Sequence, residues 1–202
     1  MSAGEWSLLQ AVALGSLLAW ASGLRLYLVI LAIGMAARLG YLSLPDGLAI
    51  LSHDYVIGAA AFLLAMEFLA DKIPVVDSAW DAVHTFIRIP AGALLAAGVA
   101  GNDLTAITLA AGLLGGTITA GTHIAKSSAR LAVNASPEPF SNWAASFSED
   151  AVVLGGIWMA LAHPAVFLTL LAAFLLIAAW MTFALVGYAR KLLKRPAPSQ
   201  PY

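Results

Sequence analysis

Apolar residues in this chain run together instead of alternating with polar ones. Uncharged stretches of 19 residues lie at Trp6–Leu24 and Leu104–Thr122, and one of 26 at Pro164–Ala189. Each is near or above the roughly 20 residues a transmembrane helix needs. Three other runs, between Arg25 and Arg38, Asp54 and Glu67, and Asp150 and His163, hold 12 residues each. Twelve helical residues reach about 18 Å, well short of a hydrocarbon core of about 30 Å. Such segments are either re-entrant or carry polar groups into the membrane. No useful strand-like alternation occurs. The pattern predicts eight helical segments, at about 5–22, 24–40, 54–70, 79–100, 103–121, 122–135, 148–162 and 164–193. The linking stretches are "SLPDGLAILSHD", "DKIPVVDS", "GND" and "SPEPFSNW". Pro90 is expected to kink its helix, and the Pro-rich end "RPAPSQPY" to be disordered.

The short runs hint at duplication. A shift of 96 lays "HDYVIGAAAFLLAMEF" on "EDAVVLGGIWMALAHP", and a shift of 98 lays Gly23-Leu24-Arg25 on Gly121-Thr122-His123. The expectation is an all-α polytopic membrane protein with seven or eight helical segments and a two-fold internal repeat. Residues 1–193 form one transmembrane domain, with halves of about 1–100 and 101–193, and 194–202 form a cytoplasmic tail. Repeats with a site at their interface recur in transporters. Whether these are parallel or inverted stays open.

Polar residues fall on helical faces. Thr119, Thr122, His123, Lys126, Ser127 and Arg130 make one stripe at i, i+3, i+4, i+7, i+8 and i+11. A charge facing lipid is costly, so this face is expected to line a polar cavity or meet acids. The same spacing also suits a surface helix whose Lys126 and Arg130 snorkel to headgroups. Asp77, Asp81, His84 and Arg88 make a second stripe, acids first and bases last, as the helix dipole favours. It is either a solvated helix start or an acidic face opposing the first stripe. Glu67 and Asp71 share a face at i, i+4. Neighbouring buried carboxylates raise each other's pKa, which suits proton or cation coupling, although headgroup-level carboxylates would look the same. Arg25 follows Gly23 where the first helix is expected to break, either as an anion-binding group or as a snorkelling interfacial residue.

Composition narrows the class. The 202 residues are 61% hydrophobic and 10% charged, against about 25% charged in soluble domains. A net charge of -1 gives no nucleic-acid signal, and with no cysteine there is no disulfide or Cys-based metal site. The N-terminal apolar run has no basic residue before Arg25, so a retained helix is expected there and not a cleaved signal. Arg190, Lys191, Lys194 and Arg195 follow the last apolar run, which places the C-terminus in the cytoplasm. No HExxH, GxSxG or phosphate-cradling glycine loop is present, "EFLAD" fixes no metal geometry, and no cofactor is expected.

The stretches "SGLRLYLVILAIGMAARLG", "EFLADKIPVVDSAWDAVHTFIR" with "PAGALLAAG", and "GTHIAKSSARLAVNASPEPFSN" with "SEDA" resemble the bacterial membrane family known as domain of unknown function 4126, over roughly residues 10–190. The resemblance implies an integral inner-membrane protein and carries no catalytic role. The functional expectation is a small transporter of an anionic or amphiphilic substrate, such as a lipid phosphate headgroup or an organic anion. Arg25, Thr119, Thr122, His123, Lys126, Ser127 and Arg130 bind substrate; Glu67, Asp71, Asp77, Asp81, His84 and Arg88 pair charges or couple protons or cations. One alternative is a membrane-embedded enzyme acting on lipid headgroups, with His84 or His123 as general base and Glu67 or Asp81 as its partner. A second is a structural or accessory subunit with static charge pairs. Partners would be membrane lipids and the small molecule, with a homo-oligomer compatible.

Overall fold

The structure is a computed structural model that describes residues 6–101, 105–134 and 139–193. Among them are six α-helices and one short 3-10 helix, with no strand. The helices are α1 (Leu8–Arg38), α2 (Asp54–Ala70), α3 (Pro74–Ala100), α4 (Ala106–Asn134), α5 (Pro139–Ala162) and α6 (Pro164–Leu193); the 3-10 helix, Asp46–Ser52, precedes α2. The tail from 194 onward lies outside the described residues.

Local chemistry sets the helix starts. Ser7 caps α1 in a reciprocal capping box with Gln10. The next starts differ from the sequence expectation. "DKIPVVDS" and "SPEPFSNW" were expected as links, yet α3 begins at Pro74 and α5 at Pro139. Proline suits the first helical turn because its missing N–H has no partner there anyway. The fifth and sixth predicted segments are one helix, α4, because Gly121 is tolerated inside a helix at about 1 kcal/mol. α3 continues as one helix through Pro90.

α1 is counted as one helix, but Arg25 within it has φ -143° and ψ 71°, far from helical values. Its two ends meet. Trp6 Nε1 donates to Ser43 O at 3.2 Å, and the Leu42 N–H reaches back to Ala36 O at 3.2 Å. A straight helix of 31 residues would hold those ends about 46 Å apart. The chain therefore doubles back at Arg25 into a hairpin with arms 8–24 and 26–38. The sequence reading of two segments here, with a break near Gly23, agrees with this backbone. Because the chain has no native cysteine, the hairpin has a direct test. Trp6→Cys combined with Ser43→Cys is expected to cross-link within one molecule under a short bifunctional thiol reagent. Cross-linking only between molecules would refute the fold-back.

The hairpin is the centre of the bundle, and α1 packs on every other helix. α3 and α4 pack antiparallel to each other against it, and α5 and α6 pack on it and on α4. Each half of the chain supplies three α-helices, but their packing differs. α1 doubles back at Arg25, whereas α4 runs straight on through Gly121 and His123.

The polarity of the bundle is reversed relative to a water-soluble protein. Leu113, Leu176 and Phe183 are 75%, 72% and 77% exposed, while Arg25, Glu67 and Arg88 are 0% exposed. Soluble domains almost never bury such charges and rarely present so much contiguous apolar surface. By length and composition, α3 to α6 are each long and apolar enough to cross a membrane, as is α1 when its two arms are counted together. The 3-10 helix and α2 form a further candidate, bent by 65°.

Candidate functional site

The hairpin tip carries Arg25 into the middle of a buried charge network. Arg25 Nη1 lies 2.5 Å from Asp71 and 3.7 Å from Glu67. Its Nε lies 2.9 Å from Asp150 and 3.3 Å from Glu149. Nη2 donates to Ser146 Oγ at 2.6 Å and to Ser146 O at 3.1 Å. The break also frees the Leu24 carbonyl, which accepts from Lys126 Nζ at 2.9 Å. A helix interrupted inside the bundle exposes backbone groups that must find such partners.

Each stripe anticipated from sequence faces this tip. Lys126 Nζ lies 3.4 Å from Glu149, 3.6 Å from Glu67 and 3.7 Å from Asp81. Arg130 donates from Nε to Glu149 at 2.8 Å and from Nη2 to Asp71 at 3.4 Å. Arg88 bridges Glu67 and Asp81, the latter at 3.1 Å, and its Nη1 points at His123 Nδ1 from 3.3 Å. Ser127 donates to Asp81 at 3.3 Å. Asp77 is buried one turn before Asp81. The stripe of α4 therefore points inward against acids and does not snorkel.

Other predicted residues hold the scaffold. Thr119 Oγ1 lies 2.8 Å from both Ala19 O and Gly115 O, which ties α4 to the hairpin. Thr122 bonds only back to Ile118 O among the contacts described. His84 Nδ1 lies 2.8 Å from Trp80 O, so it carries the proton; Nε2 then accepts from the Tyr27 hydroxyl at 2.9 Å. His123 Nε2 lies 2.7 Å from Thr85 Oγ1. Of the two histidines, His123 is the one whose ring meets Arg88 among the described contacts.

Sequence reasoning missed the contribution of α5. Asn142, Ser146, Glu149 and Asp150 stand at i, i+4, i+7 and i+8, the spacing rule that identified the other stripes. The signal is present, but the loop expected at 136–143 cuts the stripe in two. Tyr27 and Thr85 had no comparable signal.

Four cations (Arg25, Arg88, Lys126, Arg130) pair with five carboxylates (Glu67, Asp71, Asp81, Glu149, Asp150). Among the described residues, the acids in these pairs outnumber the bases by one, and Asp77 lies buried beside them. Mutual pairing is what lets so many charges stay buried, since each alone would carry a desolvation penalty of several kcal/mol. Hydrogen-bonding capacity is left over at Glu67 Oε2, Arg88 Nε and the Asn142 amide. The network is most open at α5, where the Glu149 and Asp150 side chains are 15% and 26% exposed. No group of His, Cys, Asp or Glu suited to a metal ion occurs among the described residues.

Apolar helices facing outward around buried, paired charges are compatible with a multi-pass helical membrane protein. The particular family follows from comparison: the model for the domain of unknown function DUF4126 matches residues 12–184, and the chain belongs to that family. Comparison with curated proteins and with solved structures gives no match.

Proposed function

We propose that this protein is a small transporter or translocator in the bacterial inner membrane, moving an anionic or amphiphilic substrate such as a lipid phosphate headgroup or an organic anion. The observation that carries the reading is the hairpin tip, which sets Arg25 among paired charges from α2 to α5. Broken helices that present charges and free backbone groups inside a bundle are how many transporters bind substrate and coupling ions.

The charge balance supplies a mechanism. An anion arriving past Glu149 and Asp150 competes with their carboxylates for Arg25, Lys126 and Arg130. A displaced carboxylate that stays charged and unpaired in a buried site is costly, so it takes up a proton. A substrate with net negative charge thus moves together with a proton, and the original pairs re-form when it leaves. A separate apolar cavity of about 490 Å³ lies between the first arm of α1, α3 and α4, lined by residues such as Val12, Gly15, Val99, Leu114 and Ile118. It falls within the size range of ligand sites and suits an acyl chain. The basic C-terminal run is placed in the cytoplasm. The mechanism does not require the two-fold repeat, because among the described residues the hairpin lies in the first half.

The test is ligand-dependent thermal stabilisation of the purified protein across lipid phosphates, organic anions and cations. A ligand at 100 times its Kd adds about 2.7 kcal/mol, and a phosphate-class ligand is expected to give such a shift. Lys126→Met is expected to lose the ligand-dependent increment, whatever its baseline, and Lys191→Met to keep it. A folded protein with no shift across the panel would favour static charge pairs in an accessory subunit. Chemical change of the lipid would favour an enzyme.

A further inference from the structure

Asp71 and Lys72 follow α2 at its turn into α3, and their side chains diverge. The Asp71 carboxylate points inward, 2.5 Å from Arg25 Nη1 and 3.4 Å from Arg130 Nη2, and accepts from Ser146 Oγ at 2.9 Å. The Lys72 ammonium sits 3.6 Å from the ring centre of Phe68, 5.1 Å from Phe147 and 5.4 Å from Trp143. Its buried Nζ has no hydrogen-bond partner among the described residues. An ammonium held by ring faces and not by acceptors is in the environment proteins use to recognise substituted ammonium groups. α5 contributes to both halves, with Ser146 on the carboxylate and Trp143 and Phe147 on the ammonium.

We propose that the Asp71-Lys72 pair occupies, as a tethered mimic, a site for a zwitterionic phosphate ester. The phosphate takes the place of the Asp71 carboxylate against Arg25, Arg130 and Ser146, and the substituted ammonium takes the place of Lys72 among Phe68, Trp143 and Phe147. This deepens the transporter reading and rests on it for the anion half. Charge favours the zwitterion over a plain anion. Asp71 and Lys72 leave as a neutral pair and a neutral ligand replaces them, so the network's balance is preserved without a proton. Access favours it too, since Phe147 and Trp143 are 56% and 46% exposed and the cage opens beside a helix turn, where a headgroup can arrive from outside the bundle.

The experiment uses the full-length protein in a detergent that lacks choline, titrated separately with tetramethylammonium, inorganic phosphate, glycerophosphocholine and a lysophosphatidylcholine, the last two being net-neutral phosphodiesters. Lys72→Ala empties the cage and is expected to bind tetramethylammonium at least tenfold more tightly than the parent. Adding Phe147→Ala is expected to abolish that gain. No gain in Lys72→Ala, or a gain that survives Phe147→Ala, overturns the proposal. The phosphate titration tests the anion reading independently: absent phosphate binding beside an intact tetramethylammonium gain would count against that reading and leave the cage standing. Tighter binding of the lysolipid than of glycerophosphocholine assigns the ligand to a lipid, and the reverse assigns it to the free ester.

Discussion

Arg25→Met is expected to lower stability by about 3–5 kcal/mol, the range for breaking a buried ion pair by removing one partner. Arg25 is fully buried and neighbours four carboxylates, Glu67, Asp71, Glu149 and Asp150. Methionine fills most of the space but leaves the five paired acids with three cations. Lys126 and Arg130 still reach Glu67, Glu149 and Asp71, so Asp150 is the acid left most exposed to repulsion. Asp150→Asn added to Arg25→Met should therefore recover part of the loss. Arg25→Lys should cost less than Arg25→Met, yet it cannot match the fork that donates to Ser146 while reaching Asp71. Reversible denaturation in mixed micelles measures all three against the parent. A loss below about 1 kcal/mol for Arg25→Met, in the range of surface pairs, would mean that water screens the network.

Gly23→Val is expected to be the second large effect. A Cβ at Gly23 would stand 2.7 Å from Thr119 O, 2.7 Å from Thr122 Cβ and 2.9 Å from His123 N. Two of these atoms are backbone, and α4 cannot yield without disturbing the stripe it carries. Overpacking of this kind costs about 1–3 kcal/mol, and Gly23→Val should sit at the top of that range, with weaker ligand-dependent stabilisation. Gly121 is the control. It occupies the matching place in the proposed repeat, but a Cβ there meets nothing within 4 Å. Gly121→Ala should be neutral or stabilising by about 0.5–1 kcal/mol, because alanine loses less conformational freedom in a helix than glycine. Equal effects at the two positions would mean that the hairpin tip does not pack on α4 as described.

The α4 stripe was readable because helical periodicity is local: six polar residues within 12 positions can share a face on only one kind of element. The Glu67–Asp71 pair and the Asp77–Arg88 stripe were readable for the same reason. The break near Gly23 was legible because glycine just before Arg25 can take backbone conformations that other residues avoid. The start of α5 was not, since proline marks a helix start as well as a loop, and misreading it hid Glu149 and Asp150 as partners of Arg25.

The sequence alone determined that the chain is helical and apolar, that it carries its charges in stripes, and that acids and bases are both available inside the bundle. These follow from residue type and from spacing over one to three helical turns, which any fold of the chain must respect. Only the tertiary structure decided that α1 doubles back and which charge meets which. Arg25 finds Ser146 across a separation of 121 residues, and Lys126 finds the Leu24 carbonyl across 102. No local period encodes such pairs. They form because burial leaves each charge no other way to be compensated, and the packing of the hairpin against α3, α4 and α5 selects its partner.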